Sequence, residues 1–420
     1  MGGGSSMHGG AVIVGAGQAG LQLAVDLRQR GYDGEVTLIG GEAHAPYQRP
    51  PLSKKYLVGA LSRDALMLRT PEFYRAKGID LVTGAQVTSV LPDPGGGGSV
   101  ELGDGRSIAY RDLAVTTGAR ARRIAIPGAD APNVLVMRSM DDADQLRARL
   151  ADVTQVVVIG GGFIGLESAA VLRSLGKQVV LVEAVDRLLA RVAAPELGRF
   201  YLDAHRRRGV DVRLGTGVSA IETDESGDAR AVVLADGESI PADVVIVGIG
   251  VVRDPHLAEQ LGARWDGGIV VDQHARTTVP GVVAAGDCAV WRNPLSPSDR
   301  PSCVESVQNA VDQAKVAAAT LCGDESVVYD SVPWFWSDQD DLKLQMAGLC
   351  QGSDRRVLRG DPDSEGFSIL HFKNDRFIAI DSINRPVDFM AARRALPVGA
   401  TITDLDAAAD LARPLKELFA

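Results

Sequence analysis

Two stretches of this chain carry a spacing that binds phosphate. Ala11-Val-Ile-Val-Gly-Ala-Gly-Gln-Ala-Gly20 and Val156-Val-Val-Ile-Gly-Gly-Gly-Phe-Ile-Gly165 each place an apolar run before glycines in the pattern G-x-G-x-x-G. In the first, Gly15, Gly17 and Gly20 are the glycines, with Ala16, Gln18 and Ala19 between them. In the second they are Gly160, Gly162 and Gly165, with Phe163 and Ile164 at the start of the following helix. The first glycine of such a set permits a tight turn, and the second lets a pyrophosphate approach the backbone. The third lets helix pack on strand, and the positive end of the helix faces the phosphates. An acid about 20 residues further on completes the pattern by binding ribose hydroxyls. Glu183 ends the run Gln178-Val-Val-Leu-Val-Glu183, and Glu42 follows Glu35-Val-Thr-Leu-Ile39 and two glycines. An acid at position 183 also repels a 2′-phosphate, so NADH is expected over NADPH at the second stretch. A chain that grips two dinucleotides is most simply a device for moving electrons between them.

Other residues could add to that chemistry. Asp287 ends the segment Thr277-Thr-Val-Pro-Gly-Val-Val-Ala-Ala-Gly-Asp287, read as a strand, and a carboxylate at the C-terminal end of a strand in an α/β protein sits where cofactors bind. Lys54 lies in Tyr47-Gln-Arg-Pro-Pro-Leu-Ser-Lys-Lys55, where two prolines extend the chain and Ser53 is suited to cap a helix. Read alone, Lys54 is a solvated lysine. Cys288, Cys303, Cys322 and Cys350 are scattered, with no C-x-x-C pair to relay electrons and no spacing of metal ligands. The net charge of −10 argues against general nucleic-acid binding, and 45% hydrophobic residues make a globular composition. No apolar run reaches the roughly 18 residues that span a membrane. The opening Met1 to Gly10 lacks the apolar core of a signal peptide, so a cytoplasmic protein is expected.

These groups need a scaffold, and 420 residues suffice for two or three domains. Apolar runs alternating with glycine turns and helical stretches predict an α/β chain with two Rossmann-like domains. The expected division is a leader over 1–10, a first nucleotide domain over 11–118 and 252–327, a second over 119–251, and a C-terminal α+β domain with an antiparallel sheet over 328–420. A helix after Gly20 should stop at Gly31, and strands in a meander should run from Asp80 to Thr117. A second meander is expected from Val210 to Ala235, a loop and helix carrying Asp186, Arg187 and Arg191, and a helix from about Cys303 to Leu321. The aromatic Pro333-Trp-Phe-Trp-Ser-Asp-Gln339 precedes strands between Leu342 and Ile383, two of them joined at Asn374-Asp375.

Over nearly its whole length after the leader, the chain resembles the FAD-dependent, pyridine-nucleotide-linked ferredoxin reductases that serve bacterial haem monooxygenases and ring-hydroxylating dioxygenases. The residues that carry the resemblance are Pro50-Pro-Leu-Ser-Lys54, Gly160-Gly-Gly-Phe-Ile-Gly-Leu-Glu167, Ala285-Gly-Asp-Cys288, Glu305-Ser-Val307 and Pro333-Trp-Phe-Trp-Ser-Asp338. The resemblance implies the glutathione-reductase-like arrangement of two dinucleotide domains, with FAD on the first fingerprint and NADH on the second. It implies FAD contacts from Arg49, Lys54, Val87, Thr117, Gly118, Arg138, Asp287, Val307 and Trp336. Around NADH it sets Ile164, Glu167, Glu183, Arg191, Ile249 and Gly250. Lys54 would pair with Glu167 beside the flavin ring, and Trp336 would lie near the flavin on the partner side. The implied partner is a two-iron two-sulfur ferredoxin feeding a haem monooxygenase, with a monomeric reductase and no metal of its own. A docking patch of Lys315, Arg292, Arg300 and Lys343 follows from the acidity of such ferredoxins. The sequence departs from the family at Gly41, where an acid is usual and Glu42 must serve. It departs also at Arg253-Asp254, where proline and asparagine are usual, and at Lys315, where arginine is common. Alternatives of the same fold are an NADH:rubredoxin or quinone reductase; an alternative of another class is an NADH-sensing interaction protein.

Overall fold

The buried strands are short runs of β-branched residues, and each breaks at a glycine or turn where the chain reverses over the sheet. A computed structural model describes residues 9–296 and 300–420; the first eight positions of the expected leader lie outside the described residues. Gly10, read as leader, is instead the first residue of the strand Gly10–Val14. The chain divides into two compact units. One takes residues up to Gln48 with Leu66–Arg120 and Arg253–Pro333; the other takes Arg49–Ala65, Ala121–Val252 and Trp334–Ala420. Residues 49–65 and Trp334–Ala420 both fall in the same unit as Ala121–Val252. Tyr329 stays in the first unit because its ring packs edge-on against Trp291 at 4.8 Å and its hydroxyl donates to Asn309.

In the first unit, Ile79–Val82, Val36–Ile39, Gly10–Val14, Ser107–Val115 and Val282–Ala284 lie side by side in parallel. Ser107–Val115 is long enough to serve twice: its first half closes the antiparallel meander with Gly98–Leu102 and Val87–Pro92, and its second half is central in the parallel sheet. The helix Gln18–Gln29 packs against Val307–Leu321, whose alanines let the two axes approach. That second helix starts four residues later than expected, because the hydroxyl of Ser306 caps it by accepting from the Asn309 amide. The expected strand ending at Asp287 is only Val282–Ala284.

The second unit holds the parallel sheet Asp211–Arg213, Gln178–Val182, Gln155–Ile159, Val244–Val247 and Val134–Val136. Asp211–Arg213, expected in a meander, pairs in parallel instead; the meander is Val218–Thr223, Ala229–Leu234 and Ser239–Pro241. Residues 186–191 form turns without a helix, and the next helix is Pro195–Arg207, begun by its proline. The C-terminal sheet runs Trp334–Gln339, Leu342–Gly348, Arg376–Ile383, Gly366–Lys373 and Arg355–Asp361, all antiparallel. Asn374 and Asp375 join two of these strands with φ of 48° and 60°, the left-handed pair that a two-residue hairpin needs. One face of this sheet buries Leu370, Phe372 and Ile380 against the C-terminal helices. The other meets Pro195–Arg207, with Phe367 packed on Phe200 at 4.9 Å.

Candidate functional site

Each fingerprint folds as its glycines dictate. Gly15 and Gly160 have φ of 114° and 111°, a region L side chains avoid. A Cβ on Gly20 would lie 2.0 Å from the Gly15 carbonyl oxygen, and one on Gly165 the same distance from that of Gly160. A Cβ on Gly17 or Gly162 would meet nothing within 4 Å. These middle glycines border open space beside a helix start, and that cradle fits a pyrophosphate.

The first unit gathers four loops at the C-terminal ends of its parallel strands. The Gly15 turn abuts Thr116 and Thr117, where a Cβ would fall 2.3 Å from the Thr116 carbonyl. Gly40 approaches Ala16, and the Gly286–Asp287 turn approaches Ala19. Glu42 lies past Val36–Ile39 and accepts a hydrogen bond from the Tyr47 hydroxyl at 2.5 Å. Of the sequence-predicted FAD residues, Gly15 to Gly20, Glu42, Thr117, Gly118, Asp287 and Val307 belong to this unit. So does Val87, buried in its core.

In the second unit the Gly160 turn lies against Gly248 and Ile249, and a Cβ on Gly250 would be 2.9 Å from the Arg191 guanidinium. Glu183 turns its carboxylate back onto backbone, accepting from the Gly161 and Val185 amides at 2.6 and 3.0 Å. Arg187 donates to the carbonyls of Ala190 and Ala193 and so braces the loop. Arg49 donates to the Arg138 carbonyl at 2.8 Å, so these two candidates meet.

The sequence reading of Lys54 as a solvated lysine is corrected. Its ammonium lies 2.6 Å from the Glu167 carboxylate, with side-chain exposures of 15% and 3%. A single turn at Leu52–Tyr56, kinked at Lys54, brings it there. Ser53, expected as a cap, instead donates to Glu167 at 2.7 Å. Three residues that sequence reasoning missed complete this cluster. Ser337 donates to the second oxygen of Glu167 at 2.6 Å, Gln339 donates to Ser337 at 3.3 Å, and His205 meets the Gln339 carbonyl oxygen at 2.8 Å. Burial holds the His205 imidazole below its usual pKa, so the neutral ring donates from Nε2. The signal was the period of two along Trp334–Gln339: alternate residues share a face. Phe335 packs on Phe163 at 4.6 Å, Ser337 bonds Glu167 and Gln339 meets His205. Trp336 stacks on Trp334 at 5.6 Å, with Arg393 over the Trp334 ring.

Lys54, Ser53 and Ser337 converge on the two oxygens of one buried carboxylate, which fixes its orientation and, through it, the position of the lysine. The arrangement can therefore hold a cation at a set position at the end of the helix Phe163–Ser174, which begins at the second cradle. The docking candidates are exposed cations: Lys315, 3.1 Å from Asp312, with Arg292 and Arg300 in the first unit, and Lys343 in the second. Cys350, His371 and Asp381 bring ligand-type atoms within 4.8 Å of one another, a grouping that the scattered cysteines did not announce. Among the described residues no helix is long and apolar enough to cross a membrane.

Comparison with known proteins agrees with this geometry. The family of pyridine nucleotide-disulphide oxidoreductases matches residues 10–314, and the reductase C-terminal family matches 334–419. The chain is 46% identical over 413 residues to the 5,5'-dehydrodivanillate O-demethylase ferredoxin reductase subunit of Sphingobium sp., covering 98% of this chain and 99% of that protein. It is 44% identical to rhodocoxin reductase of Rhodococcus erythropolis, over 96% of this chain and 94% of the other. The crystal structure of the covalent putidaredoxin reductase–putidaredoxin complex superposes with a TM-score of 0.93 at 39% identity, covering 98% of both chains. With two nucleotide cradles, a C-terminal reductase domain and these relatives, the chain belongs to the pyridine nucleotide-disulphide oxidoreductase family, as an FAD-dependent NAD(P)H oxidoreductase of the ferredoxin-reductase type.

Proposed function

We propose that the chain carries electrons from NADH through FAD to a two-iron two-sulfur ferredoxin that feeds a haem monooxygenase, and that it works as a cytoplasmic monomer. The balance is one NADH and two oxidised ferredoxins giving NAD⁺, one proton and two reduced ferredoxins. The observation that carries the reading is the buried Lys54–Glu167 pair, with Glu167 on the helix that starts at the second cradle. Bound FAD supplies the chemistry of accepting a hydride and releasing its electrons one at a time. The protein's share is position and charge. The open space at Gly17 and Gly162 supports pyrophosphates there, with Glu42 and Glu183 taking the riboses in this reading. The backbone-anchored carboxylate of Glu183 favours NADH, because a 2′-phosphate would meet its charge. Lys54 provides a fixed cation where the flavin ring gains negative charge, and Glu167 holds it there. No cysteine pair is needed.

A ferredoxin partner is supported by the putidaredoxin reductase–putidaredoxin complex, and an acidic one would suit the exposed cations Lys315, Arg292 and Arg300 of the first unit and Lys343 of the second. A second reading keeps the ferredoxin and changes the oxygenase, since the Sphingobium relative is named for an O-demethylase. The test uses purified protein with NADH and either ferredoxin or ferricyanide as acceptor. Lys315→Glu should slow ferredoxin reduction and spare ferricyanide reduction. If both rates are unchanged, the docking assignment fails; if wild-type protein reduces neither acceptor, the whole reading fails.

A further inference from the structure

Asp287 sits in the four-residue turn Ala285-Gly-Asp-Cys288 between the strands Val282–Ala284 and Ala289–Trp291, and both sides of that turn are anchored. On the N-terminal side, the Gly286 amide donates to the Gln313 side chain at 2.9 Å, from the helix Val307–Leu321. On the C-terminal side, the guanidinium of Arg253 donates through Nε to the Asp287 carbonyl oxygen. The same guanidinium reaches the Gly267 carbonyl at 3.3 Å and the Glu305 carboxylate at 2.6 Å. Its side chain is only 18% exposed. It lies close over Gly268, where a Cβ would fall 3.2 Å from the arginine Cδ. One side chain thus joins the loop at 266–268, the Asp287 turn and the segment that leads into the helix at Val307. Arginine suits the task because its planar fork donates in several fixed directions at once, and a charged donor on a carbonyl is stronger than a neutral one.

We propose that Arg253 is the positioning residue of the Asp287 turn, and through it of the contact between the Asp287 carboxylate and the ribityl chain of FAD. The proposal rests on the assignment of Asp287 to FAD made above. A turn held at both ends projects its carboxylate in one direction; without the guanidinium its carbonyl keeps the long, weak Cys303 thiol contact at 3.6 Å, and the turn samples several.

The test measures the rate at which FAD leaves the holoprotein, read from the rise of free-flavin fluorescence on dilution, together with the position of the bound flavin's visible band. Arg253→Met keeps the aliphatic stem over Gly268 and removes every donor. It should release FAD roughly ten- to a hundredfold faster, the range for losing a hydrogen bond from a charged group. The visible band should shift, and the KM for NADH measured with added FAD should hold. The double variant with Asp287→Ala should release FAD no faster than Asp287→Ala alone, because the arginine acts through that residue. Wild-type release from Arg253→Met, or effects that simply multiply in the double variant, would overturn the proposal. If Arg253→Met does not fold, Arg253→Lys takes its place: it keeps charge and stem but loses the fork, so several-fold faster release is expected and an unchanged rate overturns the proposal. Failure of the underlying assignment would look different: wild-type protein that binds no FAD, or Asp287→Ala that holds FAD as firmly as wild type.

Discussion

Removing one hydroxyl should separate a structural from a functional account of the Lys54–Glu167 pair. In Ser337→Ala, the Glu167 oxygen that Ser337 serves at 2.6 Å loses that donor, while Lys54 and Ser53 remain on the other oxygen at 2.6 and 2.7 Å. The lost bond is to a charged, buried acceptor, so about 1.5–3 kcal/mol is at stake. For a cooperative unit of about 240 residues, with an unfolding entropy of about 2 cal/mol/K per residue, that lowers Tm by about 3–6 °C. The carboxylate is then free to rotate about its remaining contacts, and the ammonium follows it. A displaced cation weakens stabilisation of charge that develops on reduction, so the hydride-transfer rate should fall about tenfold. The assay is stopped-flow bleaching of the flavin band at saturating NADH, where only the chemical step is read, beside a thermal melt of the same sample. A fall in Tm with an unchanged bleaching rate would mean that Ser337 supports folding alone. No change in either would refute the claim that this bond orients Glu167.

Three other outcomes follow from the same geometry. Glu167→Gln should cost stability by about 3 kcal/mol in denaturant melts, because Lys54 then lies largely buried without its anion. Gly17→Ala and Gly20→Ala should part company: the first puts a methyl in open space, folds, and binds FAD weakly, whereas the second drives a methyl to 2.0 Å from the Gly15 carbonyl and should fail to accumulate as soluble protein. The His205 ring is held below its usual pKa by burial. Its contribution to stability is therefore complete above the unfolded value of about 6.5 and is lost as pH falls toward the lower folded value. The loss of Tm between pH 7 and pH 5 should shrink in His205→Asn, and an identical loss in variant and wild type would count against it.

Much of this was legible in the residues, for reasons that differ from place to place. The two glycine fingerprints read well because their constraint is local: a positive φ, a close helix and an open middle position need no distant partner. The Asn374–Asp375 hairpin read well for the same reason. Lys54 did not, since a lysine's state depends on what the fold brings to it. Glu167 lies over a hundred positions away, and only the family resemblance joined the two. Ser337, Gln339 and His205 were hidden more deeply. Each is an ordinary polar residue until a strand with alternating faces is laid against the helix at Pro195–Arg207. Arg253 was noticed only as a departure from pattern, and its hold on the Asp287 carbonyl is a tertiary fact. A helix start slipped where a cap decided it, as at Ser306.

The strand Val282–Ala284 and the helix Val307–Leu321 complete a layer begun at Gly10. A ribosome has therefore made more than 250 residues of this chain before the first strand's neighbourhood can be finished. Until then the nascent chain displays an aliphatic surface on Gln18–Gln29 with nothing native to cover it. Synthesis should accordingly lean on chaperones, and truncation before Leu321 should yield aggregates instead of a free-standing amino-terminal fragment.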